Sequence, residues 1–102
     1  MQKRVLIVED DNDILDLLKL YLESSNFLVY VAYDGIEALE LLEKEKINII
    51  IADIMMPKMN GYELIKKVRA NSKIPIIITS AKNMDSDKIL GLDIGADAYI
   101  TK

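Results

Sequence analysis

Five short apolar runs punctuate the chain: Val5 to Val8, Leu28 to Ala32, Ile47 to Ala52, Ile74 to Thr79, and Ala98 to Ile100. Most are rich in Val and Ile, and continuous β-branched runs of this length suit strands buried on both faces, as in a parallel sheet covered by helices. The segments between them carry helical spacing. Ile14, Leu17, Leu18, Tyr21 and Leu22 form one apolar stripe, and Ala38, Leu39 and Leu42 a second; both are predicted to pack on the sheet. A third segment continues with Leu64, Ile65 and Val68, and a fourth carries Ile89, Leu92 and Ile94 before Gly95 offers a left-handed helix end. Asp34 with Glu37, and Asn60 with Glu63, pair an N-cap residue with an acid three positions on, which marks two helix starts. The order βαβαβαβαβ predicts an open, doubly wound α/β fold with a parallel five-stranded sheet, four helices and right-handed crossovers.

Length and composition narrow this picture without redirecting it. A chain of 102 residues makes one domain with a real core, and 51% hydrophobic with 29% charged residues is globular composition. The net charge of −4 argues against direct nucleic-acid binding, which depends on clustered Lys and Arg. Without cysteine or histidine, the chain has no disulfides, thiol nucleophiles, Cys/His metal sites or imidazole acid–base chemistry. Only four apolar residues separate Arg4 from Glu9, too few for a signal peptide or a membrane span, so a cytoplasmic protein is expected.

In a sheet of this kind the ligand site lies beyond the carboxyl ends of the strands. The first run ends in Glu9-Asp10-Asp11, the third in Asp53, the fourth in Thr79-Ser80 and the last in Thr101-Lys102, so acids, a hydroxyl and an amine are predicted to converge on one edge. Carboxylates brought together repel unless a cation neutralises them, and an all-oxygen site with few ligands suits Mg²⁺. A carboxylate nucleophile, a metal, a hydroxyl donor and a lysine suffice for phosphoryl transfer, where the protein mainly positions groups and spreads charge. Acids after strands also cap helices. Asp11, Asp13 and Asp16 are assigned that structural role, while Glu9 and Asp10 taken alone fit capping and metal binding equally. Met55, Met56, Met59 and Met84 are read as covering nearby apolar atoms rather than as a binding surface.

The segment from Asp53 through Pro57 to Gly61 resembles the phosphoacceptor loop of response-regulator receiver domains in two-component signalling. Val8-Glu9-Asp10-Asp11, Ser80-Ala81 and Gly95-Ala96-Asp97-Ala98-Tyr99-Ile100-Thr101-Lys102 extend the resemblance over the whole chain. The resemblance implies a flavodoxin-like fold with strand order 2-1-3-4-5 and a phosphorylation switch. It implies that Asp53 accepts phosphate and that Asp10, Asp53 and the Met55 backbone carbonyl hold Mg²⁺, with Glu9 in the acidic pocket, acting directly or through water. Ser80 rather than Thr79 falls in the switch-hydroxyl position, Lys102 would hold a phosphoryl oxygen, and Tyr99 would report the phosphate by rotating. The implied partner is a sensor histidine kinase or a phosphotransfer protein. Such a domain is a phosphoacceptor that assists its own phosphorylation and dephosphorylation rather than an enzyme acting on other substrates.

Two other readings overlap with this one. A Mg²⁺-dependent phosphatase with an aspartyl intermediate would need a second Asp two residues after the nucleophile, where Met55 stands. A degenerate receiver used only for contacts would not need Asp53, Asp10 and Lys102 intact. Receiver domains continue past the Lys into a fifth helix beside the first, whereas this sequence stops at Lys102. The reading is therefore of a C-terminally incomplete receiver, residues 1–102, with a sheet face and helix flank exposed enough to favour self-association. The closing residues resemble receivers joined to winged-helix DNA-binding domains, which implies an output in transcription.

Overall fold

The computed structural model describes residues 2–53, 61–80 and 98–101. In chain order the elements are β1 (Arg4–Val8), α1 (Asn12–Ser24), β2 (Leu28–Ala32), α2 (Gly35–Lys44), β3 (Ile49–Asp53), α3 (Gly61–Arg69), β4 (Ile76–Ser80) and β5 (Ala98–Thr101). The five strands form one parallel sheet in the order β2-β1-β3-β4-β5. This is the predicted fold class and strand order. The fourth predicted helix, with Ile89, Leu92, Ile94 and Gly95, lies outside the described residues, as does Asn60.

Strand alternation divides the core in two. Leu6, Val8, Ile50, Ala52, Ile76 and Ile78 face one side, where Ala38 of α2 and Leu64, Ile65 and Val68 of α3 close over them. Val5 and Ile7 face the other side and meet Leu15, Leu18 and Leu22 of α1. Each fully buried Leu or Ile contributes about 1.5–3 kcal/mol relative to exposure, so among the described residues the first face, with more buried side chains, holds the larger share of the core.

Two strands begin later than their apolar runs. Pro75 has no N–H for the ladder, although its carbonyl accepts from Ile50 N at 2.9 Å, and so β4 starts at Ile76. Before β3, the Asn48 side chain takes the Arg4 N–H at 2.7 Å, replacing a ladder bond. Ile47 stays buried all the same.

The α1 stripe needs correction. Leu17 and Tyr21 do not pack on the sheet: they are 68% and 71% exposed, together with Leu20 at 66%. The buried face runs through Leu15, Leu18 and Leu22, and the remaining apolar residues lie on the opposite side of the cylinder. A helix with apolar residues around most of its circumference leaves the choice of face to tertiary packing.

The helix ends follow their sequence signals. Asp34 caps α2 by accepting from Glu37 N at 2.9 Å, and the Glu37 carboxylate accepts from Tyr33 N at 3.0 Å, one residue before the cap. Asp11 caps α1 through Asp13 N at 2.9 Å, the structural role assigned to it. At the far end of α1, Phe27 N donates to Leu22 O and Asn26 N to Glu23 O, with Asn26 at φ 69. This left-handed closure uses one of the few non-glycine residues that tolerate it.

Candidate functional site

Strand register assembles the site. Val8 pairs with Ala52, so Glu9 and Asp53 emerge side by side at the carboxyl ends of the two adjacent strands β1 and β3. Glu9 N also donates to Ala32 O at 3.0 Å, extending the β1–β2 ladder by one residue and fixing where its side chain starts. Asp10 follows on the turn into α1. Carboxylate oxygens of Glu9, Asp10 and Asp53 all lie within 4.8 Å of one another. Glu9 and Asp53 are 1% and 4% exposed, whereas Asp10 is open to solvent.

This placement has a chemical consequence. Three carboxylates in that space repel, and two of them sit where water screens poorly. A hard divalent cation with oxygen ligands at about 2.0–2.6 Å fits such a cluster. Two buried acids would supply fixed ligands, and the exposed one a side from which a further ligand can enter. The structure therefore fits a bound Mg²⁺. Glu9 Oε2 also accepts from Asp11 N at 3.3 Å, and this contact holds the turn between cluster and helix cap.

Thr79 is buried and stands in register with Asp53, while Ser80 ends β4 and pairs with Thr101. Both hydroxyl residues are thus at the same edge as the acids. Tyr99 belongs to β5 as a backbone position opposite Ile78. The side chains of Ser80, Tyr99 and Thr101 lie outside the described residues, as do Met55, Pro57 and Lys102 entirely. The structure thus brings Glu9, Asp10 and Asp53 together and sets the strands that carry Ser80 and Tyr99 beside them. A cleft between the C-terminal halves of α2 and α3 is not legible in the hydropathy pattern, which marks Leu39, Leu42, Ile47 and Ile74 on its lining only as apolar.

A family model for the response regulator receiver domain matches residues 5–102. The chain belongs to this family: it is a receiver domain of the two-component response regulators, a phosphorylation-dependent signalling module. Among curated proteins it is similar to Response regulator GtcR of Aneurinibacillus migulanus, at 47% identity over the whole chain and 42% of that protein. It therefore spans less than half of that relative's length. Among solved structures it is similar to the Francisella response regulator 1452 receiver domain, with 38% identity and a TM-score of 0.93 over 99% of this chain and 84% of that one. It is also similar to the BeF3-activated N-terminal receiver domain of Klebsiella pneumoniae RstA, with 32% identity and a TM-score of 0.94 over 98% and 86%. Among the described residues, no helix is long and apolar enough to cross a membrane.

Proposed function

We propose that Asp53 is the phosphoacceptor, taking a phosphoryl group from a phosphohistidine of a partner kinase or phosphotransfer protein, or from a small acyl phosphate, in a Mg²⁺-dependent reaction. The observation that carries this reading is the convergence of the Glu9, Asp10 and Asp53 carboxylates within 4.8 Å at the carboxyl edge. The donor is a separate molecule if it is a histidine, because this chain has none. An Asp53 carboxylate oxygen forms the new P–O bond as the donor's bond to phosphorus breaks: from phosphohistidine the P–N bond, the imidazole keeping the electron pair and taking a proton from solvent, and from an acyl phosphate the P–O bond, the pair leaving on the donor's carboxylate. Later attack by water on phosphorus releases inorganic phosphate and restores the carboxylate.

Asp10, Asp53 and the Met55 carbonyl would hold the cation, with Glu9 directly or through water; bound there, Mg²⁺ supplies neutralisation of the acids and a ligand position for phosphoryl oxygens. Ser80 and Lys102 donate to the phosphoryl oxygens, and Tyr99 changes orientation with them. The phosphoryl group adds charge and acceptors that bias a two-state element, so the switch is a shift in population. The output is transcription control through a domain outside residues 1–102, with no nucleic-acid contact by this chain, in the cytoplasm. Half-buried Ile49, Ile51 and Ile77, on the α1 side of the sheet, form the face suited to self-association.

The test is incubation with acetyl phosphate and Mg²⁺ followed by peptide mapping in a mass spectrometer. A single adduct on Asp53, which does not form when the metal is chelated beforehand and is absent from Asp53→Asn, is expected. An adduct elsewhere, or none on a folded chain, removes the assignment.

A further inference from the structure

A cleft of about 640 Å³ lies at the amino edge of the sheet, between the C-terminal halves of α2 and α3. Its volume falls inside the range of about 300–1,000 Å³ that holds small-molecule ligands. Ile47 and Val68 are buried and seal its floor, while Leu39, Leu42 and Ile74, half-buried, form its sides. Both walls are pinned by polar contacts. On the α2 side, Glu45 accepts from the Tyr30 hydroxyl at 3.3 Å and lies 3.6 Å from the Arg4 guanidinium. On the α3 side, Arg69 Nη1 donates to Ile74 O at 2.6 Å and to Ser72 O at 3.4 Å, and Ile74 N donates to Ser72 Oγ at 3.1 Å. Pro75 restricts the backbone of Ile74 to extended conformations, and its own carbonyl accepts from Ile50 N at 2.9 Å. Walls tied in this way hold the space open before a ligand arrives, which lowers the cost of binding one.

Charge selects the occupant. Glu43, Lys46 and Lys67 are exposed on the lining, and among the described residues no ion pair engages any of the three. With Glu45 held by Arg4, two ammonium groups face one carboxylate, in a chain that is acidic as a whole. Lys44 in the last turn of α2, and Lys66 and Arg69 in that of α3, offset the partial negative charge of the helix ends. The apolar surface is confined to the hollow, since none of the exposed large hydrophobic side chains among the described residues lies on its lining. The rim therefore lacks the apolar core of a protein–protein contact. We propose that the cleft binds a small amphipathic carboxylate, its hydrocarbon body on the aliphatic floor and sides and its carboxylate toward Lys46 and Lys67. An organic cation would find the same floor with the wrong charge at the mouth. An inorganic anion would find only solvated lysines, which hold little. The cleft opens on the Leu6 and Ile50 side of the sheet, away from the half-buried Ile49, Ile51 and Ile77, and at the edge opposite Asp53. The proposal depends on neither the phosphoacceptor reading nor self-association.

NMR amide spectra of the intact chain, titrated with decanoate, test this. Saturable shifts are expected at Leu42, Ile47, Val68 and Ile74, with a single class of site. Decyltrimethylammonium, which keeps the hydrocarbon and reverses the charge, should bind about tenfold more weakly. Acetate, which keeps the charge without the hydrocarbon, should shift none of these amides. Lys46→Gln/Lys67→Gln should weaken decanoate binding about tenfold while circular dichroism shows the fold intact, because both side chains are exposed. Lys67→Gln alone, with a smaller loss, takes its place if the double variant does not fold. Glu43→Gln should tighten binding. The absence of saturable shifts, shifts at Ile49, Ile51 and Ile77 instead, equal affinity for the cation, or an affinity unchanged in the lysine variants each overturns the proposal.

Discussion

The two edges of the sheet solve opposite problems with the same backbone. At the amino edge unlike groups meet: Arg4 N donates to the Asn48 side chain, the Arg4 guanidinium lies 3.6 Å from Glu45, and Tyr30 donates to the same carboxylate. At the carboxyl edge like groups meet, with Glu9, Asp10 and Asp53 gathered within 4.8 Å and two of the three buried. The first arrangement lowers the energy of the isolated chain. The second gathers negative charge whose oxygens can serve as ligands to a divalent cation. Among the described residues, buried acids gather at the edge where the chemistry is proposed.

The sharpest way to break this contrast is Asp53→Asn. It should abolish the acyl phosphate entirely when the folded protein is incubated with acetyl phosphate and Mg²⁺; an adduct that persists would move the phosphoacceptor elsewhere. Next, saturating Mg²⁺ should stabilise the wild type by about 2.7 kcal/mol at a hundred times the dissociation constant. Asp10→Asn should weaken Mg²⁺ binding at least tenfold, about 1.4 kcal/mol, in a calorimetric titration. Equal affinity in the two proteins would take Asp10 out of the metal site. The amino edge should answer differently. Asn26→Val, on the turn leading into β2, is expected to cost about 1–2 kcal/mol in urea unfolding because a β-branched residue opposes the left-handed backbone. Smallest of all, Glu45→Gln should cost under about 1 kcal/mol, shrinking further in salt, since the ion pair is partly exposed. A larger loss there would mean that the amino edge carries more of the stability than its geometry suggests.

Most of the fold was legible because burial on both faces forces a strand to be apolar at every position. Val5 to Val8 is such a run, and β2, an edge strand with Leu28 exposed and Val29 to Val31 half-buried, still begins and ends where its apolar run does. The failures have physical causes. Ile47 and Ile74 are apolar because they floor the α2–α3 cleft, not because they pair, and hydropathy does not separate the two reasons. On α1 the choice between Leu15 and Leu17 as the inward residue depends on how the helix rotates against Val5 and Ile7, which is tertiary information. The site was legible where chemistry and register coincide: an acid directly after Val8 and another directly after Ala52 must be neighbours if β1 and β3 are. The strand ends placed Ser80 and Lys102 at this edge, but their roles, and the choice of Ser80 over Thr79, came from the family resemblance, since a hydroxyl or an amine at the end of a strand has no periodicity to betray its role.

β1 and β3 are interior strands, each hydrogen-bonded along both edges, and Asp53 is the last residue of one of them. Amides there open only with sub-global or global unfolding, so hydrogen exchange around Ile50 to Asp53 should be among the slowest in the molecule. Covalent change at such a place cannot be absorbed by letting the support give way. The effect of the proposed phosphorylation would then pass outward, into segments whose opening takes less free energy, while the central ladder stays closed.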